Sequence, residues 1–475
     1  MNSTEYYGDD SPIAALATGA GENALAVIRT SGKNCLQLLA SVFSNPKKLL
    51  SAPGNSVVLG WILLNPLNSS NLLNGTAERI DQVLVSVFHA PKSFTGEDCA
   101  DISCHGGSAT VNGILSRLRA AGFRDSLRGE FTFRAFMNGK IDLTQAESIM
   151  EIVSSKTEKS LRNAVRRLSG VLEKEIRSIK EQLVEVLAAV EIFLDYSEDE
   201  VSVDEGEKPG ALPKKPMAAD CLRRLREFAE SFCMERLYQD GASVVIAGRP
   251  NAGKSSLFNR LLKQDRSIVA DAPGTTRDYI EASIAVQGIP IRLIDTAGLH
   301  ETEDAVEKIG VERAQDLAKS ADAMVYVIDG AEGQTAEDEI FLAHFHHTHV
   351  RDAGKVITVF NKADLVAKKS AERLFISAKT GQGLDNLVQA LAKALCVSSG
   401  ASQTTAGIAS VRQKALIDKA IDSLSSALAL SEKKEPLDII APLVRIAVDA
   451  LGEITGQVST ADMLETMFGK FCVGK

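Results

Sequence analysis

The segment from Gly248 to Ser255 has the spacing Gly-x-x-x-x-Gly-Lys-Ser. Glycines at such positions let successive backbone N–H groups converge on phosphate oxygens where a strand turns into a helix. Within this pattern Lys254 is placed to reach the β- and γ-phosphates, and Ser255 is placed to offer its hydroxyl to Mg²⁺. The spacing therefore predicts a site for a nucleoside triphosphate and a magnesium ion.

Three further segments predict that the nucleotide is GTP. Asp295-Thr-Ala-Gly298 follows an apolar run and supplies a metal-side carboxylate and a glycine that senses the γ-phosphate. The aspartate of Asn361-Lys-Ala-Asp364 can accept hydrogen bonds from guanine N1 and N2, which adenine does not offer. Ser377-Ala-Lys379 can contact the guanine base from behind. Thr276, in the segment 274–278, is predicted to bind Mg²⁺ from the switch region.

The position after Gly298 is unusual. Ras-type proteins place there a glutamine that orients the attacking water, whereas this chain has Leu299, which cannot form a hydrogen bond through its side chain. Another residue must therefore orient the water. The nearest acidic residues follow downstream: Glu301, Glu303, Asp304 and Glu307. From the residues alone, the favoured interpretation of each is a solvated acid on a loop.

The elements around this site follow from the hydrophobic pattern. Between residues 241 and 397, short Val- and Ile-rich runs such as Ser243–Ala247 and Ala323–Ile328 alternate with helical segments. Continuous apolar runs between helices are typical of a parallel sheet that is covered on both faces. We therefore predict a doubly wound, Ras-like P-loop domain over residues 241–397.

The other parts of the chain have different patterns. Residues 1–140 mix strand-like runs with a helix at Ser108–Ala121, which predicts an α+β domain. Residues 141–240 and 398–475 have apolar residues at helical spacing. We predict that these two helical blocks form one all-α domain, into which the P-loop domain is inserted.

Composition sets wider limits. A length of 475 residues predicts about three domains, and 45% hydrophobic with 24% charged residues is typical of a globular protein. No apolar run approaches the ~20 residues of a membrane span, and the acidic start is unlike a targeting signal. Seven dispersed cysteines predict reduced thiols and a cytoplasmic location. The net charge of −9 argues against a general nucleic-acid binder but does not exclude tRNA when binding is local.

The chain ends with Phe471-Cys-Val-Gly-Lys475, where a thiol lies between apolar residues and next to a glycine and a cation. This pattern is compatible with a positioned, reactive cysteine and also with a frayed tail. The other six cysteines are predicted to be small buried packing residues. They are Cys35, Cys99, Cys104, Cys221, Cys233 and Cys396.

Together these residues resemble one family closely, the tRNA-modification GTPases called MnmE or TrmE. Beyond the nucleotide motifs, the matching segments are Ser93-Phe-Thr-Gly-Glu-Asp98, His105-Gly-Gly107, Arg128-Gly-Glu-Phe131, Asn138–Glu147, Ile454-Thr-Gly456 and the terminal Phe471–Lys475. The resemblance covers essentially the whole chain. The N-terminal segments and the terminal pentapeptide are specific to the family, whereas the P-loop is not.

The resemblance implies a separate role for each domain. Residues 1–140 would bind a tetrahydrofolate one-carbon donor, in the 5-formyl or methylene form, and form a homodimer. Residues 141–240 and 398–475 would form the helical domain, and residues 241–397 the G domain. With the FAD-dependent partner MnmG, also called GidA, the enzyme would add an aminomethyl or carboxymethylaminomethyl group to carbon 5 of the wobble uridine of certain tRNAs.

The resemblance also implies roles for single residues. Glu307 orients the attacking water, which answers the problem at Leu299, and Cys472 is the functional cysteine. The implied folate contacts are Arg29, Asp101, Lys140 and Lys475. Asp101 stands where the family usually has Glu. K⁺-dependent dimerisation of the G domains activates hydrolysis, and the implied K⁺ contacts are Asn251, Ala270, Ala272 and Thr275.

The motifs and the resemblance together predict the GTP site. Lys254 is expected to act in catalysis, and Ser255 and Thr276 are expected to bind Mg²⁺. The predicted GTP contacts are Asn251, Ala252, Gly253, Lys254, Ser255, Ser256, Thr275, Thr276, Asp295, Gly298, Asn361, Lys362, Asp364, Ser377, Ala378 and Lys379.

Two other hypotheses compete with this one. The first is an RNA-binding, ribosome-assembly GTPase of the Era or Der type. Such proteins share the P-loop and the Asn-Lys-x-Asp segment but lack the N-terminal folate segments and the terminal cysteine motif. The second is a scaffold that uses nucleotide only for structure, which predicts no K⁺-stimulated turnover.

Overall fold

The computed structural model describes residues 9–19, 21–64, 78–195, 212–264, 280–295, 321–348, 356–366, 370, 372–395 and 407–474. The chain divides into two compact units, one of Met1–Met150 with Thr455–Lys475 and one of Glu151–Ile454. Several predicted site residues lie outside the described ranges: Ala270, Ala272, Thr275, Thr276, Gly298, Glu307 and Lys475.

The described residues form the following strands and helices. The strands are β1 (Ile13–Leu16), β2 (Asn23–Ser31), β3 (Ser56–Leu63), β4 (Arg79–Phe88), β5 (Cys99–Gly106), β6 (Arg124–Asp125), β7 (Ala242–Gly248), β8 (Ile280–Val286), β9 (Ile289–Asp295), β10 (Ala323–Asp329), β11 (Val356–Asn361) and β12 (Leu374–Phe375). The helices are α1 (Cys35–Ser41), α2 (Pro46–Leu50), α3 (Ser108–Ala121), α4 (Glu130–Met137), α5 (Leu143–Ser154), α6 (Glu158–Leu168), α7 (Val171–Asp195), α8 (Lys215–Asp240), α9 (Lys254–Gln264), α10 (Ala336–Thr348), α11 (Leu384–Leu395), α12 (Val411–Glu432), α13 (Leu437–Thr455) and α14 (Ala461–Phe468).

The first unit is built on a six-stranded sheet in the order β3-β4-β5-β2-β1-β6. Along β4 buried and exposed residues alternate, with Val83, Val85 and Val87 turned inward. Helices α1 and α3 share the apolar core on that inward face. Leu84, on the other face, is 47% exposed. One covered and one open face is the arrangement expected of a mainly antiparallel sheet.

An aromatic cluster in the first unit joins α4 to the C-terminal segment. Phe133 and Phe468 meet edge to face with ring centroids 5.4 Å apart, and the centroid of Phe471 lies 5.3 Å from that of Phe468. Phe468 and Phe471 are both buried. The C-terminal segment therefore forms part of the core of this unit and is not frayed at Phe471.

In the second unit, helices from two distant stretches of chain share one core. It contains Ile179 of α7, Leu225 of α8, Leu424 of α12 and Val444 of α13. Since α8 ends at Asp240 and α12 begins at Val411, the second sheet is inserted between two halves of a single helical core.

The helical pattern over residues 141–196 forms three helices. Between α5 and α6 the chain is extended at Thr157, whose side chain accepts from the backbone N–H of Ser160 and caps α6. Between α6 and α7 lies Gly170, with a φ of +81°. A helix end commonly takes this left-handed conformation at glycine.

The sheet of the second unit has the order β12-β11-β10-β7-β9-β8, with helix-covered clusters on both faces. Strands β7, β9, β10, β11 and β12 are parallel, as the sequence predicts, but β8 is antiparallel to β9. Gln287 and Gly288 form the two-residue turn between them, with φ of +50° and +85°. Such a turn suits a hairpin and is far too short for a parallel crossover.

These observations confirm the predicted fold class. The α+β sheet domain, the all-α core and the inserted doubly wound P-loop domain are each present. Across the described ranges, every helix is too short or too polar to span a bilayer.

The buried cysteines follow the prediction with one exception. Cys35, Cys99, Cys104 and Cys221 are buried. Burial raises the pKa of Cys35 to about 12 and those of Cys104 and Cys221 to about 11, so these thiols stay protonated. The prediction is wrong for Cys233, which lies on an exposed face of α8. Cys396 lies outside the described ranges.

Candidate functional site

The predicted phosphate loop lies where β7 turns into α9. Gly248 and Gly253 both have positive φ, +145° and +93°. A Cβ at Gly248 would lie 2.2 Å from the carbonyl oxygen of Val327, and a Cβ at Gly253 would lie 2.2 Å from Nδ2 of Asn361. Backbone conformation and close packing therefore both require glycine at these positions.

Lys254 folds back across the inside of this loop. Its Nζ donates to the carbonyl oxygens of Gly248 and Arg249 at 2.8 and 2.9 Å, and the residue is 8% exposed. Burial lowers the pKa of Lys254, while the nearby carboxylate of Asp295 acts in the opposite direction. A phosphate anion would offset the lost hydration of this ammonium group far better than neutral carbonyls do.

Asn361 ties the base-recognition segment to the phosphate loop. From the end of β11, its Nδ2 donates to the carbonyl oxygen of Ala252 at 2.9 Å, and the backbone N–H of Ala378 donates to its Oδ1 at 3.0 Å. The residue is 2% exposed, so both bonds are shielded from water. The side chain of Asn361 thus holds Ala252 and Ala378 close to itself, and all three residues are predicted GTP contacts.

Ser377 orients the aspartate that is predicted to select guanine. Its hydroxyl donates to Oδ1 of Asp364 at 2.5 Å, and the backbone N–H of Thr380 donates to the Ser377 oxygen at 3.2 Å. Ser377 is buried, whereas Lys379 is exposed. A carboxylate held in this way can accept from two adjacent N–H groups of a base.

Sequence reasoning missed Asp329, which lies at the end of β10. It accepts from Nζ of Lys362 and from the backbone N–H of Ala331 at 2.9 Å. Burial acts to raise the pKa of Asp329, but the hydrogen bond from Lys362 and those from the backbone outweigh it and lower the pKa. The position of Asp329 after an apolar run could have indicated it, because ligands of such sheets bind at the carboxyl ends of the strands.

Asp295 and Ser255 are the described residues that fit a magnesium ion. Asp295 ends β9, is 1% exposed and lies in register with Ile246 of β7, the strand that leads into the phosphate loop. Ser255 is the second residue of α9. Carboxylate and hydroxyl oxygens are the hard ligands that Mg²⁺ prefers. Of the predicted K⁺ contacts the structure describes Asn251, which turns the phosphate loop with a φ of +61°.

Two predicted folate contacts form an ion pair in the first unit. Arg29 of β2 and Asp101 of β5 are directly opposite in the sheet. Nε and Nη2 of Arg29 donate to the two carboxylate oxygens at 3.0 and 3.3 Å. Both side chains remain partly exposed on the open face. The shorter aspartate therefore pairs with the arginine across the strands.

A loop over residues 89–98 brings the third predicted contact close to that pair. Nζ of Lys140 donates to the carbonyl oxygen of Pro91 at 2.8 Å. On the same loop, the ring centroid of Phe94 lies 5.9 Å from the guanidinium carbon of Arg29. Phe94 is 41% exposed, and an exposed aromatic ring beside cations is suited to contact a flat heterocycle. Its place in the Ser93–Asp98 motif was the signal that sequence reasoning passed over.

The Cys472 segment packs on the first unit from both sides of the cysteine. The backbone N–H of Gly129 donates to the carbonyl oxygen of Cys472 at 3.3 Å, and Val473 forms a β-bridge with Arg128. A Cβ at Gly474 would lie 2.6 Å from the carbonyl oxygen of Leu16, so this residue passes close to β1. The cysteine itself is exposed. Its backbone is therefore held while its side chain faces solvent.

The doubly wound sheet, the phosphate loop and the base-recognition segments define a P-loop GTPase. A family model described as "MnmE helical domain" matches residues 143–472, and one described as "GTP-binding protein TrmE N-terminus" matches residues 12–140. The chain belongs to the MnmE family of tRNA modification GTPases.

Relatives of nearly the same length support this assignment. A tRNA modification GTPase MnmE from Treponema denticola is 40% identical over 489 residues, which cover 99% of both chains. Proteins of the same description from Borreliella burgdorferi and Alkaliphilus metalliredigens are 37% and 36% identical, and the matches cover 99% and 98% of this chain and 100% and 99% of those proteins.

Proposed function

We propose that this chain hydrolyses GTP in order to modify carbon 5 of the wobble uridine of certain tRNAs. Family membership supports the GTPase and tRNA parts of this proposal. The observation that carries it is the packing of the Cys472 segment on Gly129 in the first unit, the unit that also holds the Arg29–Asp101 pair. A candidate thiol and candidate cosubstrate contacts thus belong to one compact body.

In this proposal the first unit binds a tetrahydrofolate in its 5-formyl or methylene form as the one-carbon donor. Arg29, Asp101 and Lys140 hold the donor together with Lys475, and the ring of Phe94 lies against it. The FAD-dependent partner MnmG supplies the redox chemistry. The product carries an aminomethyl or carboxymethylaminomethyl group.

Hydrolysis of GTP takes place in the inserted domain. Lys254 stabilises the phosphate charge, and Glu307 orients the water that Leu299 cannot bind. Ser255 and Thr276 would hold Mg²⁺, which would supply further positive charge there. Asn251 with Ala270, Ala272 and Thr275 would hold K⁺, which would supply positive charge at the phosphates and favour dimerisation of two G domains.

This part is tested by GTP turnover in K⁺ and in Na⁺. We expect faster turnover in K⁺, and a loss of about 100-fold in Glu307→Ala, in line with removal of a group that activates water. Glu372→Ala, an exposed acid of the same domain, is the matched control. Turnover that responds neither to the cation nor to Glu307→Ala would contradict this mechanism.

A homodimer through residues 1–140 is part of the proposal. Val57 and Leu59 of β3 and Leu84 of β4 are 59%, 50% and 47% exposed, and Leu59 and Leu84 are direct partners across the strands. An apolar patch on the open sheet face is suited to a second copy of the same domain. We assign residues 141–240 and 398–475 to the helical domain, although the segment from Thr455 onward belongs to the compact first unit. We assign residues 241–397 to the G domain, and we place the enzyme in the cytoplasm with its tRNA.

The decisive experiment is the nucleoside profile of tRNA from cells whose only copy of this gene carries Cys472→Ser. We expect unmodified wobble uridine in place of the modified nucleoside, with GTP turnover of the purified variant unchanged. Cys233→Ser removes another exposed thiol and serves as the control. Wobble uridines that stay unchanged on complete deletion of the gene would overturn the proposal and favour the Era- or Der-like hypothesis.

A further inference from the structure

His105 and Asp81 form a hydrogen-bonded pair at the carboxyl end of β5. The carboxylate of Asp81 accepts from Nδ1 of His105 at 2.7 Å and from the backbone N–H of the same residue at 2.8 Å. The side chain of Asp81 is 11% exposed, whereas the imidazole is 70% exposed. Since a carboxylate only accepts, the neutral ring carries its proton on Nδ1 and has Nε2 as its basic nitrogen.

A second His–Asp pair in the same unit has a different geometry. Nδ1 of His89 lies 3.6 Å from the carboxylate of Asp98, and its Nε2 is engaged with the carbonyl oxygen of Ala52 at 3.0 Å. Both nitrogens of His89 face protein groups, so that ring connects the segments that contain Ala52 and Asp98. In His105 a buried carboxylate orients one nitrogen and leaves the ring accessible, which is the arrangement of a general base.

The backbone beside His105 leaves space for a ligand. A Cβ at Gly106 would lie 2.3 Å from the carbonyl oxygen of Asn23, so glycine is needed there. A Cβ at Gly107 would meet nothing closer than Oγ1 of Thr110 at 3.9 Å, and its φ of −70° suits any residue. Neither packing nor conformation within the chain requires glycine at position 107. A missing side chain at such a place permits close approach of a ligand to the backbone.

The His105–Asp81 pair lies at the same end of the sheet as the Cys472 segment. Strands β1 and β5 both run antiparallel to β2, so their carboxyl ends point to the same end of the sheet. Gly474 packs against Ala17 just after β1. Two strand spacings and two residues separate Ala17 from His105, about 12 Å, and Asp101 lies about 13 Å back along β5. An extended cosubstrate is long enough to contact His105, Asp101 and the Cys472 segment beside Ala17.

We propose that His105 is a catalytic proton-transfer residue of the modification chemistry, and that Asp81 is its positioning residue. This inference rests on the proposed function. The neutral ring accepts a proton at Nε2 from an ammonium N–H of the substrate, and the electron pair of that N–H bond becomes the lone pair of a neutral amine. The amine attacks the methylene carbon of the folate, and as the new N–C bond forms, one bond from that carbon to a folate nitrogen breaks with its electron pair left on the folate nitrogen. The imidazolium, which the buried carboxylate of Asp81 stabilises, gives its proton to that nitrogen.

The experiment measures the initial rate of wobble-uridine modification by nucleoside mass spectrometry. The reaction contains the full-length chain, MnmG, a tRNA transcript, GTP, K⁺, methylene-tetrahydrofolate and an ammonium salt as the amine. We expect His105→Ala to lower the rate about 100-fold or more, and added imidazole to restore part of it. Asp81→Asn lowers the rate as well, but imidazole does not restore it because the ring is still present.

Controls separate chemistry from folding. Arg119→Ala removes an exposed ion pair with Asp125 in the same unit and is expected to keep the wild-type rate with and without imidazole. All variants should keep the wild-type rate of GTP turnover, since Glu151–Ile454 form a separate unit. If His105→Ala does not fold, His105→Asn replaces it, because the amide can still donate to Asp81 but has no basic nitrogen. This variant should fold and lose modification.

Each outcome decides the inference. A folded His105→Ala or His105→Asn variant with the wild-type modification rate overturns it, and so does a folded, inactive His105→Ala variant that imidazole leaves unchanged. Those results would leave the proposed function intact. A wild-type reaction that yields no modified uridine overturns the proposed function, and the inference with it.

Discussion

The hydroxyl of Thr157 donates a hydrogen bond to the carbonyl oxygen of Gly288 at 2.8 Å. The hydroxyl oxygen of Thr157 also accepts from the backbone N–H of Ser160 and so caps α6. Gly288 lies in the turn of the β8–β9 hairpin, whose second strand ends at Asp295 in the candidate magnesium site. One side chain therefore joins the start of a helix to the hairpin that leads into the GTP site.

The first prediction concerns the two roles of this hydroxyl. Thr157→Val keeps the shape of the side chain but removes both the cap and the bond to Gly288, whereas Thr157→Ser keeps both. We expect Thr157→Val to destabilise α6 locally by about 1–2 kcal/mol. Hydrogen–deuterium exchange of the amides in the first turns of α6 should then be about 5- to 30-fold faster, since about 1.4 kcal/mol is a factor of ten. Equal exchange in the valine and serine variants would contradict the assignment.

The second prediction concerns the packing of the hairpin turn on α6. A Cβ at Gly288 would lie 2.9 Å from Cβ of Lys159. Gly333 has nearly the same φ, +81° against +85°, but nothing lies within 4 Å of its virtual Cβ. Gly288→Ala and Gly333→Ala therefore share a left-handed strain of about 1–2 kcal/mol, and only the first adds a clash.

We expect Gly288→Ala to lower the thermal unfolding midpoint further than Gly333→Ala does. It should also speed amide exchange in both α6 and the β8–β9 hairpin, because the clash pushes the two apart. Equal midpoints for the two alanine variants would show that the turn does not depend on contact with Lys159.

Local sequence signals predict the fold well where one short segment determines the outcome. The helix over Ser108–Ala121 is predicted with its observed ends, because Gly122 takes a φ of +110° and stops it. The motif Asn361–Asp364 begins at the last residue of β11, and Ser377–Lys379 follows β12, as alternation of apolar runs and polar ends predicts.

The contacts that complete the sites depend on which elements become neighbours, and no local pattern carries that information. Asn361 bonds to Ala252, 109 residues away. Arg167, which is almost fully buried, binds Glu151 and Glu235 from two other helices at 2.7 Å each. Spacing and periodicity describe one element at a time, so these partners become visible only in the folded chain.

The third prediction concerns base selection by Asp364. Asp364→Asn keeps an oxygen that can accept from Ser377 but replaces an acceptor for guanine with an N–H donor. Loss of a hydrogen bond to a charged group costs about 1.5–3 kcal/mol, so we expect the Kd for GTP to rise at least about tenfold. Xanthosine triphosphate, which has a carbonyl at carbon 2, should bind the variant more tightly than it binds the wild type.

Equilibrium titration with fluorescent GTP and with xanthosine triphosphate measures both effects. Asp385→Asn, an exposed aspartate in the first turn of α11, changes the charge of the same domain by the same amount and should alter neither affinity. An Asp364→Asn variant that still prefers GTP would show that this carboxylate does not select the base.

The fourth prediction concerns acid stability of the first unit, where Glu130 is 2% exposed. Its carboxylate accepts from Arg124 at 2.7 and 2.9 Å, from Arg134 at 2.9 Å and from the backbone N–H of Leu127 at 2.8 Å. Burial acts to raise the pKa of Glu130, but these bonds outweigh it and hold the pKa below 4.5. The stabilisation is thus complete above the unfolded-state value of about 4.5 and is lost as the pH falls through the lower folded-state pKa.

Glu130→Gln keeps the shape of the side chain but leaves the buried guanidinium of Arg134 and the partly exposed one of Arg124 without their shared carboxylate. We expect a loss of about 3 kcal/mol in the free energy of unfolding at pH 7, and a weaker fall in stability below pH 4.5 than in the wild type. Urea unfolding followed by fluorescence of Trp61 reports on this unit, because that residue is the single tryptophan of the chain and lies in β3. Asp125→Asn removes an exposed pair with Arg119 and should cost less than about 1 kcal/mol at either pH. If Glu130→Gln and Asp125→Asn unfold at the same urea concentration at pH 7, the buried carboxylate does not stabilise the unit.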